Sequence, residues 1–332
     1  MAVAVDRARD PVRPGQLVQL AAVARRYYLQ GRSKVEIAEE LGINRFKIAR
    51  MIEEASERGL VHIEITMSAS LDAELSEQLR DAYGLRQAFV VDTTDEPPDS
   101  MHADLSRVAA DVLSEIVKEG DVVGLSWGRT LNAMANSLGQ LPTCSVVQLT
   151  GALSGAGVGD TSIELVRRVS EVSGGLAHSI YAPMILFDAS TARALRVQPH
   201  IAEVTSWYDR LTLAIIPVGS WTPPDSQLYS ALSNQERQEL YDLGVCADTC
   251  AVMLSAGGEL IRTPFNDRVI GITGDQLRRI PEVVAVAGGR TKTDAIATVL
   301  RAGFVTILVT DAGTARHLLS ARSTPAAAAQ GG

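Results

Sequence analysis

Apolar residues recur at helical spacing near the start of the chain. Leu20, Val23, Ala24 and Tyr27 stand at positions i, i+3, i+4 and i+7, which places them on one face of a helix, and Gly31 follows where such a helix would end. The spacing predicts an amphipathic first helix with one buried stripe.

A second, shorter helical pattern covers residues 34–41. Ser33 precedes it and Glu36 stands three positions further on, which is the sequence signature of a capping box. Ile37 and Leu41 are four residues apart and share a helix face, so we expect both to point inward.

A third helical pattern begins after a tight turn at Gly42. Asn44 can cap this helix, Ile48 and Ile52 repeat the i, i+4 spacing of a core face, and Gly59 closes it. Two short amphipathic helices joined at a glycine turn, with a helix before them, are typical of a helix-turn-helix module. We therefore predict an N-terminal all-α domain of this kind.

From about residue 66 the pattern changes to apolar runs separated by helical stretches, such as 71–83 and 105–117. Strands that are apolar throughout are typical of a parallel sheet covered on both faces. The fold class predicted is α/β, with the helix-turn-helix domain followed by a Rossmann-like, mostly parallel α/β effector domain. The predicted strands are QAFVVD (87–92), DVVGLS (121–126), SVVQLTG (145–151), LTLAIIPVG (211–219), VVAVAGG (283–289) and VTILVTD (305–311).

These patterns divide the chain into four segments. Residues 1–14 and 321–332 lack apolar periodicity and are predicted to be disordered. Residues 15–65 form the predicted helix-turn-helix domain and residues 66–320 the predicted α/β domain. The segment VHIEITM, at 61–67, alternates apolar and polar residues and predicts a short strand.

Charge is distributed unevenly along the chain. The formal net charge is −8, but residues 1–62 hold 11 Lys and Arg against 8 Asp and Glu, whereas the remaining residues hold 20 against 31. A basic end on an acidic body suits a small module that binds the DNA backbone, attached to a domain that does not.

Composition excludes several classes of protein. No run approaches the ~20 apolar residues that span a bilayer and no signal-peptide pattern is present, which predicts a cytoplasmic protein with no membrane partner. Cys246 and Cys250 stand at i, i+4, but the five histidines are scattered, so we predict buried thiols and no metal site. The glycine spacing of residues 151–160 differs from the dinucleotide fingerprint, so we predict a mobile loop there and no cofactor.

The third predicted helix carries the candidate DNA-reading residues. In a helix-turn-helix, the second helix places its N-terminal residues at base edges in the major groove. Arginine pairs with guanine, asparagine pairs with adenine, and lysine neutralises phosphate. The candidates are Asn44, Arg45, Lys47 and Arg50, with Ser33 at the start of the preceding helix. The alternative is an ordinary solvated helix of mixed charge.

Two glycine-containing loops are candidate phosphate sites. The sequence DVVGLSWGRT predicts a strand, a loop and a helix start, and backbone N–H groups in such a loop can bind an anion. Its candidate ligand contacts are Ser126, Trp127, Gly128, Arg129 and Thr130. Simple turns are the alternative for such loops, and Trp127 can equally pack in the core.

The second loop, AGGRTK, contributes Lys292 as a phosphate candidate. It also follows an apolar strand and precedes a helix, so it should open at the same carboxyl edge of the sheet, where ligands of open α/β folds bind. Gly219 follows the run LTLAIIPV, where a missing side chain should let the backbone approach a ligand; a simple turn is the alternative.

Longer segments resemble the SorC-type sugar-binding transcriptional regulators. The similarity runs from about residue 17 to 320, with separate motifs in family order. The segments are SKVEIAEELGINRFKIARMIEEASERGLVHIEI in the helix-turn-helix region, GLSWGRT at 124–130, NDRVIGI at 266–272 and AGGRTKTDAI at 287–296.

The resemblance implies an effector domain similar to sugar-phosphate isomerases and deaminases, a tetramer, and DNA affinity altered by phosphorylated sugars. It places Asp248 and Asp267 near the sugar pocket; a helix cap or a surface salt bridge is the alternative for each. The chain departs from the family pattern at residues 247–251, where ADTCA replaces a GDICG-like stretch, and at Phe46, where proline is frequent.

Two classes of function are compatible with these residues. The first is a transcriptional regulator whose partners are double-stranded operator DNA, a phosphorylated sugar or polyol, and further copies of itself. The second is a sugar-phosphate isomerase or deaminase with an added helical module, in which Asp248 or Asp267 would be the general base. No histidine accompanies either aspartate in a recognisable motif, so we predict a regulator and no catalytic residue.

Overall fold

The computed structural model describes residues 14–61, 71–92, 98–153 and 162–323. The chain divides into two compact units, residues 1–66 and 67–332, which are described separately. Predictions made for the following residues lie outside the described part of the chain: 1–13, 62–67, 154–160 and 324–332.

Residues 14–61, the described part of the first unit, contain three helices in the order that the apolar spacing predicts. α1 and α2 both pack against α3, and the stripes found in the sequence form one shared core. The helices are α1 (Pro14–Tyr28), α2 (Lys34–Leu41) and α3 (Arg45–Glu57). The buried core residues are Leu20, Val23, Ala24, Ile37, Ile48, Met51, Ile52 and Ala55.

Both predicted caps of this unit are confirmed. Ser33 Oγ accepts from the Glu36 N–H at 3.3 Å, and the Ser33 N–H donates to Glu36 Oε2 at 2.8 Å, which completes the capping box. Gly42 ends α2 with φ +62°, a left-handed conformation that glycine adopts without steric cost. Asn44 Oδ1 then accepts from the Phe46 N–H at 2.8 Å and begins α3.

The second unit is built on a seven-stranded parallel sheet with the order β1-β11-β10-β5-β2-β3-β4. The predicted Rossmann-like, mostly parallel α/β architecture is thus confirmed. Its strands are β1 (Gln87–Val91), β2 (Val122–Leu125), β3 (Ser145–Gln148), β4 (Ala177–His178), β5 (Leu213–Ile216), β10 (Glu282–Val286) and β11 (Ile307–Asp311).

Helices cover this sheet on both faces. Leu213 and Ile215 of β5 point into one apolar layer and Ala214 and Ile216 into the other, which explains why the strand is apolar at every position. The helices are α4 (Ala73–Tyr83), α5 (Pro98–Ile116), α6 (Arg129–Ser137), α7 (Ser162–Ser173), α8 (Ala189–Arg196), α9 (Pro199–Ser206), α10 (Gln227–Ala231), α11 (Asn234–Asp242), α12 (Gly274–Leu277), α13 (Thr293–Arg301) and α14 (Ala312–Ser323).

Several helix ends differ from the predicted ones. α5 covers Pro98–Ile116, where the sequence predicted 105–117. α4 begins at Ala73 rather than at Leu71, because Asp72 Oδ1 accepts from the Leu75 N–H at 2.9 Å and caps the helix there. α14 continues to Ser323, three residues into the segment predicted as a tail.

A second, four-stranded antiparallel sheet was not predicted. Its order is β7-β6-β8-β9, and its strands are two or three residues long, too short to show a period of two in the sequence. The strands are β6 (Gly219–Trp221), β7 (Pro224–Asp225), β8 (Ala247–Thr249) and β9 (Val252–Leu254). This small sheet brings residues far apart in sequence next to the large sheet.

Candidate functional site

An open cavity lies where β2, β5 and β10 end at their carboxyl edge, with about 790 Å³ of empty space that includes open solvent. This is the edge at which open α/β folds bind ligands. Every predicted effector residue except Asp267 lines it. These residues are Ser126, Trp127, Gly128, Arg129, Thr130, Gly219, Asp248 and Lys292.

The loop after β2 forms one wall. Ser126 is buried, and Gly128 precedes the first turn of α6, so the unpaired N–H groups of that turn are available to an anion. Trp127 combines both predicted roles, because it lines the cavity and also packs against the apolar layer beneath.

Two cations converge on one carboxylate in this cavity. Arg129 Nη2 lies 3.2 Å from Asp225 Oδ1, and Lys292 Nζ lies 3.7 Å from Asp225 Oδ2. Lys292 Nζ also donates to the Val218 carbonyl at 3.0 Å. Burial lowers the pKa of the Lys292 ammonium group, while the Asp225 carboxylate opposes that shift. The pair of cations is a site for a negatively charged group.

Asp248 is held in the cavity wall by two donors. Trp221 Nε1 donates to Asp248 Oδ1 at 2.9 Å, and Ser226 Oγ donates to the same oxygen at 2.6 Å. Burial raises the pKa of the Asp248 carboxyl group above its ordinary value, and the two hydrogen bonds partly offset this. Both donors keep the carboxylate in one orientation toward the cavity.

Gly219 permits this arrangement. It pairs with Asp248 across the small sheet, and a Cβ atom at Gly219 would collide with Asp248 Oδ1 and lie 2.7 Å from Ser226 Oγ. The residue therefore allows a close approach between strands, which is a stronger constraint than the simple turn considered as its alternative.

A strained turn closes another side of the cavity. Cys250 and Ala251 connect β8 to β9 with φ values of +51° and +61°, both in the left-handed region that favours glycine. Ala251 is one of the positions at which the sequence departs from the family's glycines. Burial raises the pKa of the Cys250 thiol to about 11, so this cavity-lining side chain is a neutral thiol.

Sequence reasoning missed five polar residues that line the cavity: Thr150, Asp225 and Ser226, together with His102 and Gln227. Thr150 is 1% exposed, and within the described residues its Oγ1 has no hydrogen-bond partner. A buried hydroxyl without a partner is costly unless a ligand or water satisfies it. Its position directly after the strand SVVQL was the available signal; no comparable signal marks Asp225 or Ser226.

Asp267 is not brought to the cavity. It lies in a 3₁₀ turn, Pro264–Arg268, which buried Phe265 anchors in the apolar cluster beside the small sheet. Arg196 Nη2 donates to the backbone carbonyl of Asp267 at 2.9 Å. The residue lines a separate groove of about 940 Å³ together with Arg196, Met253, Arg262 and Asp275, among others.

In the first unit, the predicted DNA-reading residues lie on the solvent side of the helices. Asn44, Arg45, Lys47 and Arg50 are exposed on or beside the first half of α3, and Ser33 is exposed at the start of α2. Glutamates occupy the other half of α3, where Glu54 pairs with Arg58 at 2.8 Å. The positive charge of α3 is therefore concentrated at its N-terminal end.

Comparison with known proteins identifies the family. The model of the sugar-binding domain family Sugar-bind matches residues 68–320. A deoxyribonucleoside regulator from Bacillus subtilis (strain 168) is 32% identical over 302 residues, which cover 90% of this chain and 96% of that protein. The chain belongs to the SorC-type family of sugar-binding transcriptional regulators.

Other SorC-type proteins match over a similar length. The sorbitol operon regulator of Klebsiella pneumoniae is 25% identical over 308 residues, which cover 90% of this chain and 97% of that protein. The crystal structure of full-length SorC from Klebsiella pneumoniae superposes with a TM-score of 0.73 and 24% identity, covering 91% of this chain and 98% of that one, which supports the fold. These relatives are named as transcriptional regulators, so this SorC-type chain is not assigned to the isomerase or deaminase class considered as its alternative.

Two further observations concern the described part of the chain. None of its helices is long and apolar enough to cross a membrane. Nor do three His, Cys, Asp or Glu side chains come together there in an arrangement that could hold a metal ion.

Proposed function

We propose that this protein is a DNA-binding transcriptional regulator of carbohydrate metabolism genes whose operator affinity is controlled by a phosphorylated sugar or polyol bound in the cavity. The observation that carries this proposal is the convergence of Arg129 and Lys292 on one carboxylate beside the N-terminus of α6. A phosphate group matches two cations and a helix N-terminus in charge and in hydrogen-bonding capacity.

The rest of the cavity suits the sugar. Asp248 can accept hydrogen bonds from sugar hydroxyls, and the unpartnered Thr150 hydroxyl can bond to another. Asp225 competes with the phosphate for the same cations, so the phosphate must displace it or share them. The ligand would then bridge the loop after β2, the small sheet and the segment before α13.

DNA binding is proposed for the first unit. α3 would lie in the major groove with Asn44 and Arg45 at base edges, while Lys47, Arg50 and Ser33 would contact phosphates. Paired modules read operators with two-fold symmetry, so we propose a homo-oligomer, a tetramer by family resemblance, in the cytoplasm. The effector would shift the population between two arrangements of the oligomer that differ in operator affinity.

The first test is a thermal-denaturation panel on the purified full chain. The Bacillus relative is named for deoxyribonucleosides and the Klebsiella relative for sorbitol, so the panel contains phosphates of pentoses, deoxypentoses, hexoses, trioses and sugar alcohols, each beside its unphosphorylated parent. A ligand that binds only the folded state raises the free energy of unfolding by about 2.7 kcal/mol at a hundredfold excess over its Kd. We expect a shift with one phosphorylated compound and none with its parent.

Matched variants separate the cavity from the rest of the surface. Arg129→Ala and Lys292→Met should abolish the shift, whereas Arg262→Ala should keep it, because exposed Arg262 pairs with Asp275 outside the cavity. The same compound should change the affinity of the wild-type chain for operator DNA. Shifts with unphosphorylated sugars alone, or a shift that persists in both cavity variants, would contradict the phosphate site.

A further inference from the structure

Phe46 is a large apolar side chain on the solvent side of the first unit. It is the second residue of α3 and is 64% exposed, while its backbone N–H donates to the Asn44 cap. Single apolar residues are common on protein surfaces, so exposure alone indicates no function. The position of this ring on α3 is what suggests a function.

The ring occupies the centre of the outward face of α3. A helix turns through ~100° per residue, which puts Phe46 about 160° around the axis from Ile48, a core residue that is fully buried. Arg50, four residues further on, lies on the same outward face. The part of α3 that is farthest from the core therefore presents an aromatic ring followed by a cation.

Arg45 contacts this ring. Its guanidinium carbon lies 4.8 Å from the centroid of the Phe46 ring, a cation–π contact between neighbours in sequence. The contact holds the guanidinium over the face of the ring and leaves the ring edge open to solvent. An apolar surface and a planar hydrogen-bond donor thus stand side by side at the N-terminus of α3.

Base-pair edges in the major groove offer one apolar group, the C5 methyl of thymine, and phenylalanine is among the side chains that contact it. Arginine pairs with O6 and N7 of guanine. We infer that Phe46 reads the methyl group of a thymine at the base pair next to a guanine bound by Arg45. The inference rests on the proposed placement of α3 in the major groove. It adds Phe46 to the residues that contact bases and a thymine next to the guanine as its target.

The first experiment selects binding sites from duplexes with a randomised centre, using the full-length chain. The wild type should enrich half-sites that contain a thymine beside a guanine. Phe46→Ala should lose the preference at the thymine and keep the one at the guanine. Leu29→Ala removes an apolar side chain that is 79% exposed in the same unit but lies before α2, so it should select the same sites as the wild type.

The second experiment removes only the methyl group. Each thymine of the selected duplex is replaced in turn by deoxyuridine, and the Kd is measured by fluorescence anisotropy. Loss of one buried methyl should weaken wild-type binding about fourfold at the thymine that Phe46 reads. Phe46→Ala should bind the thymine and deoxyuridine duplexes equally, and Phe46→Leu should retain part of the difference.

The outcomes distinguish this inference from the function on which it rests. A wild type that is indifferent to deoxyuridine at every thymine, or a Phe46→Ala variant with the same sensitivity as the wild type, would overturn the role of Phe46. If Arg45→Ala still weakens binding in that case, the proposed DNA contact of α3 stands. A full-length chain that enriches no duplex would overturn both proposals.

Discussion

At the residue scale, Asp225 occupies the two cations that the proposed phosphate group would contact. It pairs with both Arg129 and Lys292, which are the cations that a phosphate would need. Such a pairing favours the charged form of the partly buried lysine against the effect of burial, and it also means that the proposed effector must compete with a carboxylate of the chain itself. The net free energy of effector binding is then the difference between two interactions with the cations, that of the phosphate and that of the Asp225 carboxylate.

Asp225→Asn should therefore tighten binding of phosphorylated ligands and of inorganic phosphate, by about three- to tenfold, because the competing charge is gone while the side-chain shape is retained. Calorimetric titration of the full chain measures this. Asp275→Asn is the matched control, since Asp275 pairs with exposed Arg262 outside the cavity and should have no effect. Equal or weaker phosphate binding by Asp225→Asn would contradict the competition.

Asp248 gives a prediction about pH. Its folded-state pKa is raised by burial, so the folded protein holds this proton more tightly than the unfolded chain. The stability contributed by Asp248 must then fall as pH rises from about 3.9, the ordinary aspartate value, through the raised folded value. The asparagine in Asp248→Asn does not titrate, so the variant does not lose this stability as pH rises. Its melting temperature relative to that of the wild type should therefore increase with pH over that interval.

Melting curves of both chains at successive pH values test this in the absence of ligand. The amide that Asp248→Asn introduces can still accept through its carbonyl oxygen from Trp221 and Ser226, so the packing around it is preserved. A constant difference in melting temperature across the interval would show that Asp248 titrates alike in the folded and unfolded chains.

The limits of sequence prediction at the residue scale follow from how each residue reaches the cavity. Arg129 and Lys292 were predictable because they follow strands of one parallel sheet, whose carboxyl ends share an edge. Asp225 was not, because it comes from a two-residue strand of a separate sheet. Asp267 was expected at the cavity by resemblance, but a local capping box at Thr263 fixes its turn beside another groove.

At the scale of elements, the β8–β9 hairpin stands out. Its two-residue turn requires positive φ at both positions, for which glycine and asparagine are the usual residues, yet Cys250 and Ala251 occupy it. An L-residue in the left-handed region costs about 1–2 kcal/mol. The hairpin keeps this conformation because β8 and β9 are buried and β8 is paired on both sides, with β6 and with β9.

Ala251→Gly should relieve that strain and stabilise the protein by up to about 1 kcal/mol, after subtracting the larger entropy of glycine in the unfolded chain. Chemical denaturation measures the change. Ala247→Gly, the same substitution at the start of buried β8, should destabilise by about 0.5–1 kcal/mol. Destabilisation by both substitutions would indicate that the turn is unstrained.

Elements were predictable wherever a local signal fixed them. The capping box at Ser33, the glycine turn at Gly42 and the cap at Asn44 define α2 and the start of α3 to the residue, since each is made within three positions in sequence. The long apolar runs located their strands too, but with ends that differ from the observed ones by up to three residues. The small sheet was not predicted because its strands have only two or three residues and because its central pairing joins residues 219–220 to 247–248, which tertiary contact decides.

At the scale of the whole molecule, the two units divide charge as well as structure. The basic excess is confined to the first 62 residues, while the larger remainder of the chain is acidic. An acidic second unit would not compete for DNA phosphates, which agrees with the proposal that α2 and α3 make the operator contacts. This separation lets sugar recognition and DNA recognition evolve on different surfaces of one chain.

The strand order of the large sheet has a consequence for the folding and degradation of the protein. Central β5 pairs with β2, about ninety residues earlier, and with β10, about seventy residues later. Pairings of such long range form late and slowly during folding. The cavity at the end of these strands thus forms only after β2, β5 and β10 have paired, and an effector bound there, as proposed, would recognise only the folded protein. Abundant effector is then expected to lengthen the lifetime of each regulator against proteolysis.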